Sequence, residues 1–377
     1  MHKFIQGNCI DVIKTLENNS IDCVVSSPPY FGLRDYGTET WQGGDLNCSH
    51  SYGRKTRGGF TKLQKRNKGS FGDDAIKIGE HCKLCGAKRI DEQFGLEKTY
   101  QDYLVNTVKV FETFRPKLKD TATIWWNVGD SYSNHKDCKS IGQTLAKGTT
   151  REKAHEIEKG KSHTRNSKLL KASGLKDKDL MMIPNRVAIA LQDAGWYIRS
   201  EIIWHKPNPM PESVKDRPTS CHEKIWLITK NKKYYYDADA IKEPTTEATK
   251  QRMKSGWNGN QKKDYASGEE QNHLSNYFGS DKSKENALKG RNKRNVWKIT
   301  TKPFKEAHFA TFPKDLIEPC ILAGCPEGGT VLDPFSGAGT TVLVANEHNR
   351  KAIGIELKDD YIKIAERRMN DCQPRMV

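Results

Sequence analysis

Asp333-Pro334-Phe335-Ser336-Gly337-Ala338-Gly339-Thr340-Thr341 is the stretch that decides how this chain folds. It follows Val331-Leu332 and leads into a helical run that closes near Asn349. A buried strand, a glycine turn and a helix in that order form one unit of a doubly wound parallel sheet, where ligands sit at the carboxyl ends of the strands. Gly337 and Gly339 permit close backbone approach to a ligand, and the following helix points its free amides at the same spot. The loop does not read G-x-G-x-x-G. Gly339-Thr340-Thr341 also stands where a Walker loop needs Gly-Lys-Ser/Thr, so a phosphate ligand is disfavoured.

The next apolar run, Ala352-Ile353-Gly354-Ile355-Glu356, ends in a carboxylate 15 positions beyond Thr341. At the tip of the second strand it can accept hydrogen bonds from two ribose hydroxyls. A nucleoside cofactor without a phosphate, S-adenosylmethionine, meets both demands. The competing reading is a generic glycine turn beside an unrelated surface glutamate.

Near the other end, Ile21-Asp22-Cys23-Val24-Val25 reads as a buried parallel strand and runs into Ser26-Ser27-Pro28-Pro29-Tyr30. Two prolines stop strand and helix alike, so this loop is stiff and projects from the strand's carboxyl end. The exocyclic amine of a nucleobase is a poor nucleophile, because its lone pair delocalises into the ring. Ser27 Oγ and the Pro28 carbonyl can accept the amine's two hydrogens and favour the tetrahedral geometry of attack, with Pro28 and Pro29 holding them rigid. Tyr30 offers a face on which an extruded base can stack. Direct transfer from a sulfonium needs no cysteine nucleophile. Pro319-Cys320 invites that comparison, but Cys320 falls on an apolar helix face and is expected in the core.

The 377 residues suffice for one large α/β domain with insertions, or for two domains. Only 35% are hydrophobic, so long polar segments must accompany the core. With 63 Lys+Arg against 47 Asp+Glu the formal charge is +16, which favours a polyanionic partner, most simply nucleic acid. No stretch approaches the ~20 apolar residues of a membrane span. The first residues show no apolar signal segment, and ten scattered cysteines suit a reducing cytoplasm.

The two loops, in this order and this far apart, resemble the β group of DNA amino-methyltransferases, the N4-cytosine/N6-adenine family. There the catalytic motif precedes the cofactor motif, a circular permutation of the usual order. The resemblance implies a Rossmann-like S-adenosylmethionine-dependent methyltransferase fold. Residues 27–30 match the catalytic motif. Phe335, Gly337, Gly339 and Thr340, within 333–341, match the cofactor motif, and Glu356 matches the ribose-binding acid. Residues 308–313, with Phe312 and Pro313, match the segment beside the methionine part of the cofactor. Gly7-Asn8-Cys9 matches the opening segment near the adenine, with Asn8 where the family has Asp. Serine at the first catalytic position is typical of N4-cytosine enzymes, so site-specific methylation of cytosine N4 is expected. N6-adenine is the alternative, and an inactive DNA-binding protein that keeps the fold is the reading from another class.

The methyltransferase core is expected at 1–36, 95–240 and 301–377, with a mobile loop at 133–179. Residues 37–94 read as a basic insertion. Its Cys48-x-His50 and Cys82-x2-Cys85 pairs suit structural zinc in a knuckle-like turn, with His81 a competing ligand, against free thiols in a loop. Residues 54–68 carry seven Lys/Arg and no acid, which suits phosphate contacts. Residues 241–300 are expected to form a target-recognition region, with 13 Lys/Arg against 7 Asp/Glu over 242–300 and interleaved aromatics such as Trp257 and Trp297. Double-stranded DNA is the expected partner. A second copy of the chain and a cognate restriction endonuclease are further candidates, in a bacterial or phage-encoded cytoplasmic protein.

Overall fold

The computed structural model describes residues 2–32, 40–45, 47–50, 81–90, 93–133, 173–248, 251, 289–302 and 312–371. The basic run at 54–68, most of the loop expected at 133–179 and residues 252–288 of the recognition region lie outside them, as do residues 308–311.

An eight-stranded sheet carries the fold, in the order β1-β10-β9-β2-β5-β7-β6-β8. The strands are β1 (His2–Gln6), β2 (Ile21–Ser26), β5 (Leu118–Val128), β6 (Tyr197–His205), β7 (His222–Thr229), β8 (Val296–Lys298), β9 (Thr330–Asp333) and β10 (Lys351–Glu356). The insertion adds a separate antiparallel pair, β3 (Thr40–Gln42) and β4 (Lys88–Ile90). The helices are α1 (Cys9–Thr15), α2 (Tyr100–Phe114), α3 (Ile183–Asp193), α4 (Lys314–Gly324), α5 (Thr340–Glu347) and α6 (Asp359–Asp371).

Alternation along the central strands sends side chains to two layers. Val24, Ile124, Trp126 and Leu332 join Ile13, Phe111, Phe114, Val187 and Leu191 from α1, α2 and α3. Cys23, Val25, Trp125 and Val331 join Leu316, Ile317, Val342 and Leu343 from α4 and α5 on the opposite face. Residues 340–345 of α5 are buried all round, so this helix is core on every side. Cys320 belongs to the second layer at 1% exposure and burial pushes its thiol up, which leaves it no nucleophilic role.

One expectation needs correction. The sheet is mixed, because β7 runs antiparallel to both β5 and β6. An apolar run shows that a strand is buried but carries no sign of its direction. The recognition region as bounded at 241–300 also contributes β8, which pairs parallel with β6 and buries Trp297 in the second layer. Three residues are too few to show a period of two in the sequence.

The topology fixes where function lies. β2 and β9 are adjacent parallel strands, with Cys23 opposite Val331 and Val24 opposite Leu332. The chain leaves β9 through α5 toward β10 and β1, while β2 pairs with β5 on its other side. That reversal is the switch point where an open α/β sheet forms its ligand crevice. Both loops read from sequence emerge there, from neighbouring strands about 4.8 Å apart.

Candidate active site

Asp333 clips the two loops together. It is 1% exposed and accepts hydrogen bonds from Ser26 Oγ at 2.6 Å, Thr341 Oγ1 at 2.6 Å and the Phe335 amide at 3.1 Å. Burial pushes its carboxyl up to about 6, with the three donors holding it down against that pressure. The expected cofactor contact is therefore turned toward the protein. Thr340 likewise faces inward, where its Oγ1 accepts from Arg368 at 3.1 Å. Gly339 is left-handed at φ +75°, and a Cβ there would stand 2.7 Å from Ala365 Cβ, so packing demands this glycine. Gly337, at φ +50°, has nothing within 4 Å of such a Cβ and keeps the open approach expected of both.

Glu356 ends β10 beside this loop. Its Oε2 accepts from the Gly337 amide at 2.9 Å and its Oε1 from the Lys358 amide at 3.0 Å, while burial raises its pKa. A carboxylate has about four acceptor positions, so two are left for a pair of hydroxyls. Across the sheet Gln6 at the end of β1 is opposite Glu356. Asn8, two residues on, caps α1 by accepting from the Ile10 amide at 3.0 Å, a duty that Asp performs equally well. Ser336 Oγ is buried in the same loop without a partner among the described residues. An open Gly337, a half-used Glu356 and an orphan hydroxyl fit a nucleoside cofactor. Phe335 packs between Phe94 and Trp126, at ring separations of 5.2 and 6.0 Å. Phe312 packs against the second layer, and Pro313 starts α4, accepting from the Leu316 amide at 3.1 Å.

The loop at 27–30 is braced from three strands. Ser27 Oγ is 3.1 Å from the Tyr30 hydroxyl and accepts from Asn127 Nδ2 at 3.3 Å. Tyr30 donates to Glu223 Oε2 at 2.7 Å, and Asn127 Nδ2 reaches the same oxygen at 3.0 Å. Lys206 pairs with Glu223 Oε1, and both side chains are at most 20% exposed. Asn127 sits at the end of β5, Glu223 at the start of β7 and Lys206 just past β6, so antiparallel β7 delivers its first residues to the same sheet edge. Burial and then the charge of Glu223 hold the Tyr30 phenol protonated, well above its usual range. Asn127 Oδ1 is buried and accepts no hydrogen bond from the described residues.

The backbone of the loop is held as well. Pro28 is buried, and Tyr103 donates to the Pro29 carbonyl at 3.3 Å. A Cβ on Gly129 would fall 2.6 Å from Tyr30 Cε2, so this glycine lets the tyrosine ring lie against the chain. A Cβ on Gly95, at φ +93°, would stand 3.0 Å from the Tyr30 carbonyl oxygen and 3.1 Å from that of Pro29. Sequence reading missed Asn127, Gly129, Lys206 and Glu223. The signal for the first two was the abrupt end of a buried strand at Asn127-Val128-Gly129, while nothing local marks Lys206 or Glu223.

In the insertion, Cys48, His50, Cys82 and Cys85 come together, their ligand atoms all within 4.8 Å of one another.

A crevice at the switch point, a nucleoside-fitting loop on β9 and a rigid acceptor loop on β2 define a methyl-transfer site for an amine. The comparisons agree. The family model of DNA methylases for N6 and N4 positions matches residues 21–367. Type II methyltransferase M.SmaI of Serratia marcescens is 34% identical over 97% of this chain and 90% of its own. M.Cfr9I of Citrobacter freundii is 35% identical over 97% of this chain and 86% of its own. The solved PvuII DNA methyltransferase (cytosine-N4-specific) superposes at a TM-score of 0.52 with 15% identity, over 100% of this chain and 88% of that one, and supports the fold. The chain belongs to the N6/N4 DNA methylase family. It is an S-adenosylmethionine-dependent DNA methyltransferase. Among the described residues no helix is long and apolar enough to cross a membrane.

Proposed function

We propose that the methyl group goes to the N4 amine of cytosine in double-stranded DNA, at a site protected against a cognate endonuclease in the cytoplasm. The observation that carries this reading is the neutral acceptor at the first catalytic position. Among the described residues Ser27 Oγ hydrogen-bonds the Tyr30 hydroxyl and the Asn127 amide, and the Glu223 carboxylate stands one group further back, on Tyr30. The PvuII enzyme, described as cytosine-N4-specific, shares the fold and favours the same base.

The target base is flipped out of the duplex, at a cost of a few kcal/mol in lost stacking and pairing. Ser27 Oγ and the Pro28 carbonyl accept its amine hydrogens, favour a tetrahedral nitrogen and so localise the lone pair on it, out of conjugation with the ring. Tyr30, fixed by Glu223 and Gly129, supports the base face. Asn8, Gly337 and Glu356 hold the nucleoside end of the cofactor, whose chemistry is an electrophilic methyl on a sulfonium. Phe335, Phe312 and Pro313 line the methionine side in this reading. Asp333, Gly339 and Thr340 hold the loop in shape.

Ser27→Ala tests the assignment. Methyl transfer to DNA should fall about 100-fold or more, while calorimetric affinity for S-adenosylmethionine stays unchanged. Unchanged turnover would remove Ser27 from the mechanism.

A further inference from the structure

The cysteines and histidine of the insertion lie outside the methyl-transfer site. Pairing of Thr40, Trp41 and Gln42 with Ile90, Arg89 and Lys88 brings the segment after β3 beside the segment before β4. Cys48 Sγ is then 3.8 Å from Cys82 Sγ, and Cys85 Sγ is 3.3 Å from His50 Nδ1. A disulfide needs sulfurs about 2.05 Å apart, so the first pair is not one. Bond lengths of about 2.3 Å for Zn–S and 2.0 Å for Zn–N give tetrahedral edges of about 3.8 Å between sulfurs and 3.5 Å between sulfur and nitrogen. The measured separations lie near those edges.

The surrounding backbone is shaped for an ion. Leu84 donates its amide to Cys82 Sγ at 3.4 Å, a bond that favours a thiolate and orients it. The Gly86 amide returns to the Cys82 carbonyl at 2.9 Å, with Gly86 left-handed at φ +74°. Gly44 passes so close that a Cβ there would stand 2.8 Å from Cys85 Sγ. Trp41 stacks on His50 at 4.8 Å and fixes its ring plane. The two strands have three residues each, and among the described residues of 40–90 only Cys82 and Ala87 are buried apolar groups. A hairpin of that size is marginal on its own and needs a staple.

We propose that Cys48, His50, Cys82 and Cys85 hold one structural Zn2+, which closes the two ends of the intervening basic segment with its seven Lys/Arg at 54–68. Three thiolates and an imidazole select zinc over magnesium, calcium or manganese. Each cysteine gives its thiol proton to solvent as its sulfur–zinc bond forms. Four protein ligands complete the coordination, so no step of methyl transfer runs through the ion.

The test is metal analysis of the full chain purified without chelator, by inductively coupled plasma mass spectrometry. One zinc per chain is expected in the wild type and in Cys221→Ser, and below about one tenth in Cys82→Ser/Cys85→Ser. Exchange for Co2+ in the wild type should give the visible absorption and sulfur charge-transfer bands of a tetrahedral three-thiolate site. Affinity for S-adenosylmethionine should stay within about twofold in the double variant, which also reports that its core is folded. A wild-type chain without zinc, an octahedral cobalt spectrum, or a double variant that keeps one zinc overturns the proposal.

Discussion

Replacing Glu223 by glutamine keeps the side chain's shape and removes its charge. One carboxylate oxygen now accepts from Tyr30 at 2.7 Å and Asn127 at 3.0 Å, and the other faces Lys206. Glutamine has one acceptor end and one donor end. With its oxygen toward Tyr30 and Asn127, its amino group meets the Lys206 ammonium, donor against donor. With its oxygen toward Lys206, its amino group meets Asn127 Nδ2, again donor against donor. Either orientation loses a charge-assisted contact of about 1.5–3 kcal/mol and leaves the Lys206 ammonium, 20% exposed, without a counter-charge. The Tyr30 hydroxyl is 3.1 Å from Ser27 Oγ, so strain here reaches the proposed acceptor directly. At about 1.4 kcal/mol per tenfold, single-turnover methyl transfer in Glu223→Gln should fall about 10–100-fold. Affinity for S-adenosylmethionine should hold within about twofold, because Glu356 and Gly337 lie on the other side of β2. Adding Lys206→Met removes the stranded cation and frees the glutamine oxygen to face Tyr30 and Asn127. The double variant should therefore recover about fivefold or more of the lost rate. Wild-type turnover in Glu223→Gln, or a parallel loss of cofactor affinity, would refute the claim that this network positions the catalytic loop.

Two further changes probe the cofactor side. The folded pKa of Asp333, about 6, lies above the ~3.9 of an unfolded aspartate, so the folded chain keeps a proton that the unfolded chain has lost. Its stabilising contribution is complete below about pH 3.9 and is lost as pH rises through about 6, on the order of 3 kcal/mol. Asp333→Asn should flatten urea-denaturation stability across that window, and an unchanged slope would contradict the buried carboxyl. Glu356→Ala leaves the Gly337 and Lys358 amides unpaired and removes the ribose acceptors. Its calorimetric Kd for S-adenosylmethionine should rise about 10–100-fold, and wild-type affinity would contradict the placement of the nucleoside.

What the sequence made legible was local. A β-branched run ending at a Pro-Pro turn and a short strand before a glycine loop each carry their own signature, so both loops and their neighbouring strands were readable. The C-x-H and C-x2-C spacings likewise announced a cluster that the β3–β4 pairing closes. What stayed hidden depends on strand order and direction. Glu223 reaches the catalytic loop only because β7 runs antiparallel and returns its first residues to the carboxyl edge of β5. Trp297 reads as an exposed aromatic in a basic segment until β8 docks against β6. Asp333 and Gly339 sit inside a ligand-binding motif yet serve the protein's own packing, a division that no spacing rule reveals.

The central claim is the acceptor chemistry of Ser27 on cytosine. DNA exposed to the purified chain in a methylation-free background, digested to nucleosides and resolved by mass spectrometry, tests it most directly. N4-methyldeoxycytidine is expected as the modified nucleoside, and it should be absent with Ser27→Ala. N6-methyldeoxyadenosine as the sole product would contradict it.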